Sequence, residues 1–258
     1  MEYNVYPFFK SHYSLGRSIL TLGSQESESH PDSIFEIAKE NNLKEIFLVE
    51  DNMSGFLEAY LNSQKHDIEL NFGLRLTVCS DSSEKNEEGR SSESKIILFI
   101  KNKKGYEDII KAFTYASTDG FYYYPRTDYK ALKEIGFKNL SMVVPFYDSF
   151  LYENNFRNKA CVPNFISLYK NETGACPIFC IEDNDLPFDR NLTKLVEKYS
   201  TSNGCETIKA KSIYYKNKSD YFSYLTFRCI HNRSTLDKPN FGHMCSNEFS
   251  FESWKGAN

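Results

Sequence analysis

The chain has 258 residues, enough for one large domain or two small ones. With 40% hydrophobic and 26% charged residues it has the composition of a soluble globular protein, and no apolar stretch approaches the ~20 residues needed to span a bilayer. A formal net charge of −4 argues against a stand-alone nucleic-acid binder, which carries a basic face, and the N-terminus lacks a charged-then-apolar signal sequence, so a cytoplasmic protein is expected.

The segment 3–9 is apolar and aromatic and predicts a first strand, followed by Lys10, Ser11, His12 and Tyr13. Residues 21–30 are polar and loop-like. A helix is predicted from Pro31 on: Ser33 and Glu36 have capping-box spacing, and Ile34, Ile37 and Ala38 recur at helical intervals. A buried strand (Ile46 to Val49), a turn at Asp51, Asn52 and Gly55, a helix "FLEAYLNSQKH" and a strand region "IELNFGLRLTVC" follow. The alternation points to an α/β fold with parallel strands. Residues 80–95 are nearly all Ser, Glu and Lys, which predicts a mobile polar loop. "IILFI" resumes as a strand, and "KKGYEDIIKAFTYAST" as a helix with Tyr106, Ile109, Ile110 and Phe113 on one side. After the turn at Asp119–Gly120 and the aromatic stretch "FYYYPR", strands are predicted at "NLSMVVPF", "PIFCIE" and "ETIKAKSIYY". Helices are predicted at "LTKLVEKYS" and "SDYFSYLTFRCIHN". The tally gives one domain over 1–258, a single TIM-barrel-like βα barrel of roughly seven units.

The seven cysteines form no C-x-x-C pair and read as reduced, mostly buried thiols. Cys176 and Cys180 would share a face on a strand, a weak case for zinc. His12 reads as a polar residue at a strand end rather than a general base. His30 and His66 read as exposed, and His231 and His243 fall outside any site pattern.

Four stretches, "SHYSLGRSIL", "NMSGFLEAY", 101–128 and "STLDKPN…SNEFSFES", resemble the PHP domain at the N-terminus of the bacterial DNA polymerase III alpha subunit, a C-family replicative polymerase. The most specific is 101–128, which matches at Lys101, Asn102, Gly105, Tyr106, Lys111, Thr118, Gly120, Phe121, Tyr122, Tyr123, Pro125, Arg126 and Asp128. Motif order and spacing agree from about residue 6 to residue 253. The resemblance implies a distorted (βα)7 barrel of the PHP type. In active members divalent metals cluster at the C-terminal strand ends, and the domain hydrolyses phosphoesters, in some cases as a proofreading exonuclease.

What stands at the implied ligand positions differs here. Phe8, Phe9 and Lys10 fill the family's H-x-H slot, and His12 falls on its Asp. Leu48 to Asn52 replace T-D-H-G-N, with Glu50 and Asp51 as the remaining donors. Arg75 replaces the Glu of G-x-E, and Lys95 replaces a His. The Cys of a further motif has no counterpart among Val144–Tyr147, and Ser212 and Tyr214 stand in the late N-D-V-H-Y motif. Phe has no donor atom, and a cationic Lys or Arg cannot ligate a metal ion. A second cation at ~4 Å is repelled by ~4 kcal/mol per charge pair at an effective dielectric of 20. Lys10 and Arg75 are expected to fill the metal volume and pair with Glu50 or Asp51.

The expected function is therefore a catalytically dead scaffold domain in DNA replication, with no cofactor of its own; the parent polymerase would use Mg. The implied partners are the rest of the polymerase chain, a separate proofreading exonuclease subunit, and DNA through the parent polymerase, with no membrane. The alternatives are a metal-dependent PHP phosphoesterase or 3′–5′ exonuclease with a divergent site, and an independent DNA-binding module. The aromatic stretch with Arg126 could stack single-stranded DNA; packing against a neighbouring domain, with Arg126 paired to an acid, is the preferred reading. The segment 232–258 leads toward a missing polymerase palm, so a piece of a longer polypeptide is expected.

Overall fold

The structure, a computed structural model, describes residues 3–23, 31–237 and 241–257. His30 and most of the predicted 21–30 loop lie outside them. In chain order the elements are β1 (Tyr6–Phe9), α1 (Ile34–Glu40), β2 (Glu45–Glu50), α2 (Phe56–His66), β3 (Glu69–Cys79), α3 (Glu87–Ser91), β4 (Ser94–Ile100), α4 (Lys103–Ser117) and β5 (Arg126–Asp128). There follow α5 (Tyr129–Ile135), β6 (Leu140–Val144), α6 (Phe150–Phe156), α7 (Asn164–Thr173), β7 (Ile178–Ile181), α8 (Asp189–Asn203), β8 (Thr207–Ile213), α9 (Tyr221–Asn232) and α10 (Phe251–Ala257). The α/β class expected from the strand–helix alternation is what the chain adopts. Two compact units result, one of Met1–Phe72, Glu182–Asp189 and Lys209–Asn258, the other of Gly73–Ile181 and Arg190–Ile208.

In the first unit β1 is parallel to β2 and to β8, with Phe8 in register with Phe47 and Ser212. Parallel strands bury both faces, and Phe9, Leu48 and Ile213 are inaccessible to solvent. Because all three strands run the same way, their C-terminal ends bring Lys10, Glu50 and Tyr214 to one edge. Ser33 is the N-cap of α1, but its side chain makes no capping bond, so the predicted capping box does not form.

In the second unit β4 is antiparallel to both β3 and β6, whereas β5 is parallel to β3 and β7 parallel to β6. The all-parallel expectation is corrected here. The link from β3 to β4 carries only the five-residue α3, and β4 returns beside β3 in the opposite direction. The same link corrects the expected mobile loop over 80–95. Asn86 caps α3 by accepting from the Gly89 N–H at 2.8 Å, and Ser82, Glu93 and Ser94 are buried. On α4 the buried stripe is Gly105, Asp108, Ile109, Ala112 and Ala116, while Ile110 is exposed. Small residues face inward because the neighbouring chain runs close: a Cβ on Gly105 would meet the Asn139 carbonyl at 2.3 Å.

Asp128 caps α5 by accepting from the Ala131 N–H at 2.8 Å, and it also accepts from Ser82 and from the Tyr115 hydroxyl at 3.0 Å. Burial pushes this carboxyl up, but the hydrogen bonds outweigh it and hold the group below the usual aspartate range. Its contribution is therefore present above the unfolded aspartate pKa and is lost as pH falls through the lowered folded value. Asp128→Ala should cost about 2 kcal/mol at pH 7 in urea unfolding. The deficit relative to wild type should shrink in acid.

Candidate functional site

Seven of the nine positions singled out in the sequence fall in the first unit, and Arg75 and Lys95 fall in the second. In the first unit the Lys10 ammonium lies 3.2 Å from Asp51 Oδ1, and Arg17 Nε lies 3.9 Å from Asp51 Oδ2. Lys10 is buried. Glu50, fully buried at the end of β2, accepts from the Ser11 N–H at 2.7 Å and from the Ser14 hydroxyl. Burial pushes its carboxyl up, and the Lys10 charge and these hydrogen bonds hold the rise back. The pairing of Lys10 with an acid at the β2 end thus forms as expected.

The other first-unit positions are core or scaffold. Phe8 is buried beside Phe47, ring centroids 6.3 Å apart. Tyr214 stacks on Phe249 at 5.1 Å and on Tyr224 at 5.6 Å. The backbone N–H of His12 donates to the Leu20 carbonyl, and its ring lies 4.3 Å from that of Tyr13. Ser212 donates from its N–H (2.9 Å) and its hydroxyl (3.0 Å) to Glu182, a buried acid that the sequence reading missed. Asn184 donates to the same carboxylate at 2.9 Å. Burial pushes Glu182 up against these bonds. The neighbouring Lys211 pairs with Glu248 at 3.3 Å and donates to the Asp183 carbonyl at 3.0 Å. An acidic residue directly after the apolar run "PIFCI" is the one signal at Glu182, and it does not name the partners.

In the second unit Arg75 pairs with Asp148, correcting the expected partner Glu50 or Asp51. The register explains it: Arg75 on β3 faces Ile97 on β4, which faces Val143 on β6, and Asp148 follows β6 in a left-handed conformation (φ 61°). The Lys95 ammonium donates to Thr77 Oγ1 at 2.6 Å. Arg126 is fully buried and pairs with Glu93 at 3.2 Å, the acidic partner expected for it. It also donates to the carbonyls of Ser82 (3.0 Å) and Gly120 (3.2 Å), and its guanidinium lies 5.1 Å from the Tyr122 ring centroid. Gly120 sits so close that a Cβ would meet the Arg126 carbonyl at 2.0 Å. Tyr106 and Pro125 are half-buried, whereas Phe121 and Tyr123 are exposed.

A family model for the PHP domain matches residues 21–162, more than half of the 258-residue chain. The chain belongs to the PHP domain family. Its α/β architecture is the PHP-type fold. Over 158 residues (59% of the chain) this PHP domain is 24% identical to the DNA polymerase III subunit alpha of Aquifex aeolicus, covering 13% of that protein. Over 97 residues (37% of the chain) it is 31% identical to the corresponding subunit of Helicobacter pylori, covering 8%. Over 222 residues (84% of the chain) it is 23% identical to that of Borreliella burgdorferi, covering 19%. The chain thus spans less than a fifth of the length of these relatives.

The acids that the family resemblance would offer a metal are engaged by protein groups. Glu50 and Glu182 spend their oxygens on hydrogen bonds from Ser11, Ser14, Ser212 and Asn184. Asp51 is shared between Lys10 and Arg17. Among the described residues, no group of three or more His, Cys, Asp or Glu side chains is placed to hold a metal ion. Cys180 is buried within β7, and Cys176 precedes it half-exposed. No helix among the described residues is long and apolar enough to cross a membrane.

Proposed function

We propose that this PHP domain is the N-terminal domain of a bacterial DNA polymerase III alpha subunit, a pseudoenzyme domain that serves as a scaffold in cytoplasmic DNA replication. The observation that carries the reading is the pairing of the buried Lys10 with Asp51. It places a cation where the family resemblance puts a histidine ligand. A protein cation there balances the acids of the β2 end, a task that a divalent metal performs in active members. The similarity to alpha subunits from three bacteria supports the polymerase context. On this reading the domain's partner is the remainder of the polymerase chain. DNA is met only through that chain, and proofreading comes from another domain or a separate exonuclease subunit. The polymerase itself would use Mg; this domain needs no cofactor.

The test is hydrolysis of a 3′-recessed DNA primer and of a chromogenic phosphoester by the purified chain with Mn, Mg or Zn. No turnover above the metal-only background is expected. Turnover that EDTA abolishes would restore the phosphoesterase reading. In a polymerase carrying this domain, deleting it should lower soluble yield and thermal midpoint, while Lys10→His should leave polymerisation unchanged.

A further inference from the structure

Helices α7 and α8 end in the same way. Gly174 and Gly204 adopt left-handed backbone (φ 73° and 63°), which closes each helix and turns the chain toward the next strand. Each turn then delivers a cysteine, Cys176 before β7 and Cys205 before β8. The Phe179 N–H donates to the Glu206 carbonyl at 2.9 Å, which sets the two turns side by side. Both sulfurs converge on one atom: Cys176 Sγ lies 3.6 Å and Cys205 Sγ 3.8 Å from the Asn203 carbonyl oxygen. Both residues are partly open to solvent, whereas Cys79, Cys161, Cys180 and Cys229 are buried and Cys245 is exposed.

We propose that Cys176 and Cys205 form a dithiol that oxidises reversibly to a disulfide, stapling the α7–β7 turn to the α8–β8 turn. The oxidant is a small-molecule disulfide of the glutathione class. The Cys176 thiolate attacks one of its sulfurs and expels the first glutathione thiolate. Cys205 loses its proton to solvent and attacks the Cys176 sulfur of the mixed disulfide, expelling the second. Two electrons pass from the cysteine pair to the oxidant, and two glutathione thiols are released. Burial and the adjacent Cys176 thiol push Cys205 up to about 11, which suits it to the second attack rather than the first. The pair is independent of the metal-ligand positions, so its oxidation does not depend on the function proposed above.

The experiment incubates the 258-residue chain with oxidised glutathione, alkylates the remaining thiols and maps peptides by mass spectrometry. A peptide joining Cys176 to Cys205 is expected, reversed by dithiothreitol. Without reductant the oxidised chain should melt about 5 °C or more above the reduced one. In Cys205→Ser that rise should vanish and Cys176 should carry a stable glutathione adduct. Separate adducts on Cys176 and Cys205 in the wild-type chain would overturn the proposal. So would both thiols remaining free while Cys245 reacts.

Discussion

Arg126→Met should lower stability by about 3–5 kcal/mol in urea unfolding and the thermal midpoint by about 10 °C or more. Arg126 is among the largest fully buried side chains of the described residues, and its guanidinium contacts Glu93 and the carbonyls of Ser82 and Gly120. Removing it strands the buried Glu93, whose other oxygen accepts from the Tyr124 hydroxyl. Burial, reinforced by Glu93, already pushes Tyr124 up to about 12, so that hydroxyl stays protonated and cannot neutralise the acid. Lysine should not rescue the site, because an ammonium cannot span a carboxylate and two carbonyls in the plane of the guanidinium. Replacing both members, Arg126→Met with Glu93→Met, should cost less than the sum of the single changes, since no unpaired charge remains. Additivity of the two would mean the pair is not coupled. The link 80–93 should also open to proteolysis in the single variant, because Arg126 is what holds the Ser82 and Glu84 carbonyls.

Lys10→Met should cost about 3 kcal/mol at pH 8 but only about 1 kcal/mol near pH 4. The sign follows from Glu50. Its folded-state pKa is raised by burial, so the native state binds the proton more tightly than the unfolded chain. Stability from that difference is full below the unfolded glutamate value and is lost as pH rises through the folded one. Lys10 limits the loss by favouring the ionised form. Without it the folded pKa climbs further and the penalty grows with pH. Asp51 retains Arg17 and is partly open to water, so its share of the loss is the smaller one. The Lys10→Met, Glu50→Gln double variant should lose most of the pH dependence. A Lys10→Met deficit that is flat between pH 4 and pH 8 would show that Glu50 does not respond to Lys10.

Much of this could be read from residue pattern. Helix α2 occupies the predicted stretch, and β2 and β3 follow their apolar runs, because local periodicity and turn residues settle them. Strand direction was not legible. The run "IILFI" is apolar throughout and reads the same forward or reversed, so its pattern does not fix the antiparallel direction in which β4 pairs. In the link before β4, Ser and Glu predict solvent, whereas Glu93 is drawn inside by an arginine 33 positions away. Arg75 shows the same limit: its partner lies 73 residues on and is selected by the register through β4 and β6. The Lys10–Asp51 pair was legible because both residues follow strands whose parallel pairing brings their ends together. Glu182 was not, since its partners lie about 30 residues downstream on β8.

Metal titration tests most directly the proposed replacement of the PHP metals by protein ion pairs and hydrogen bonds. The purified chain, stripped with a chelator and dialysed against Zn, Mn or Mg at pH 7.5, should retain no stoichiometric metal by elemental mass spectrometry. Retention of one or more ions per chain, lost on Glu50→Gln or Asp51→Asn, would contradict it.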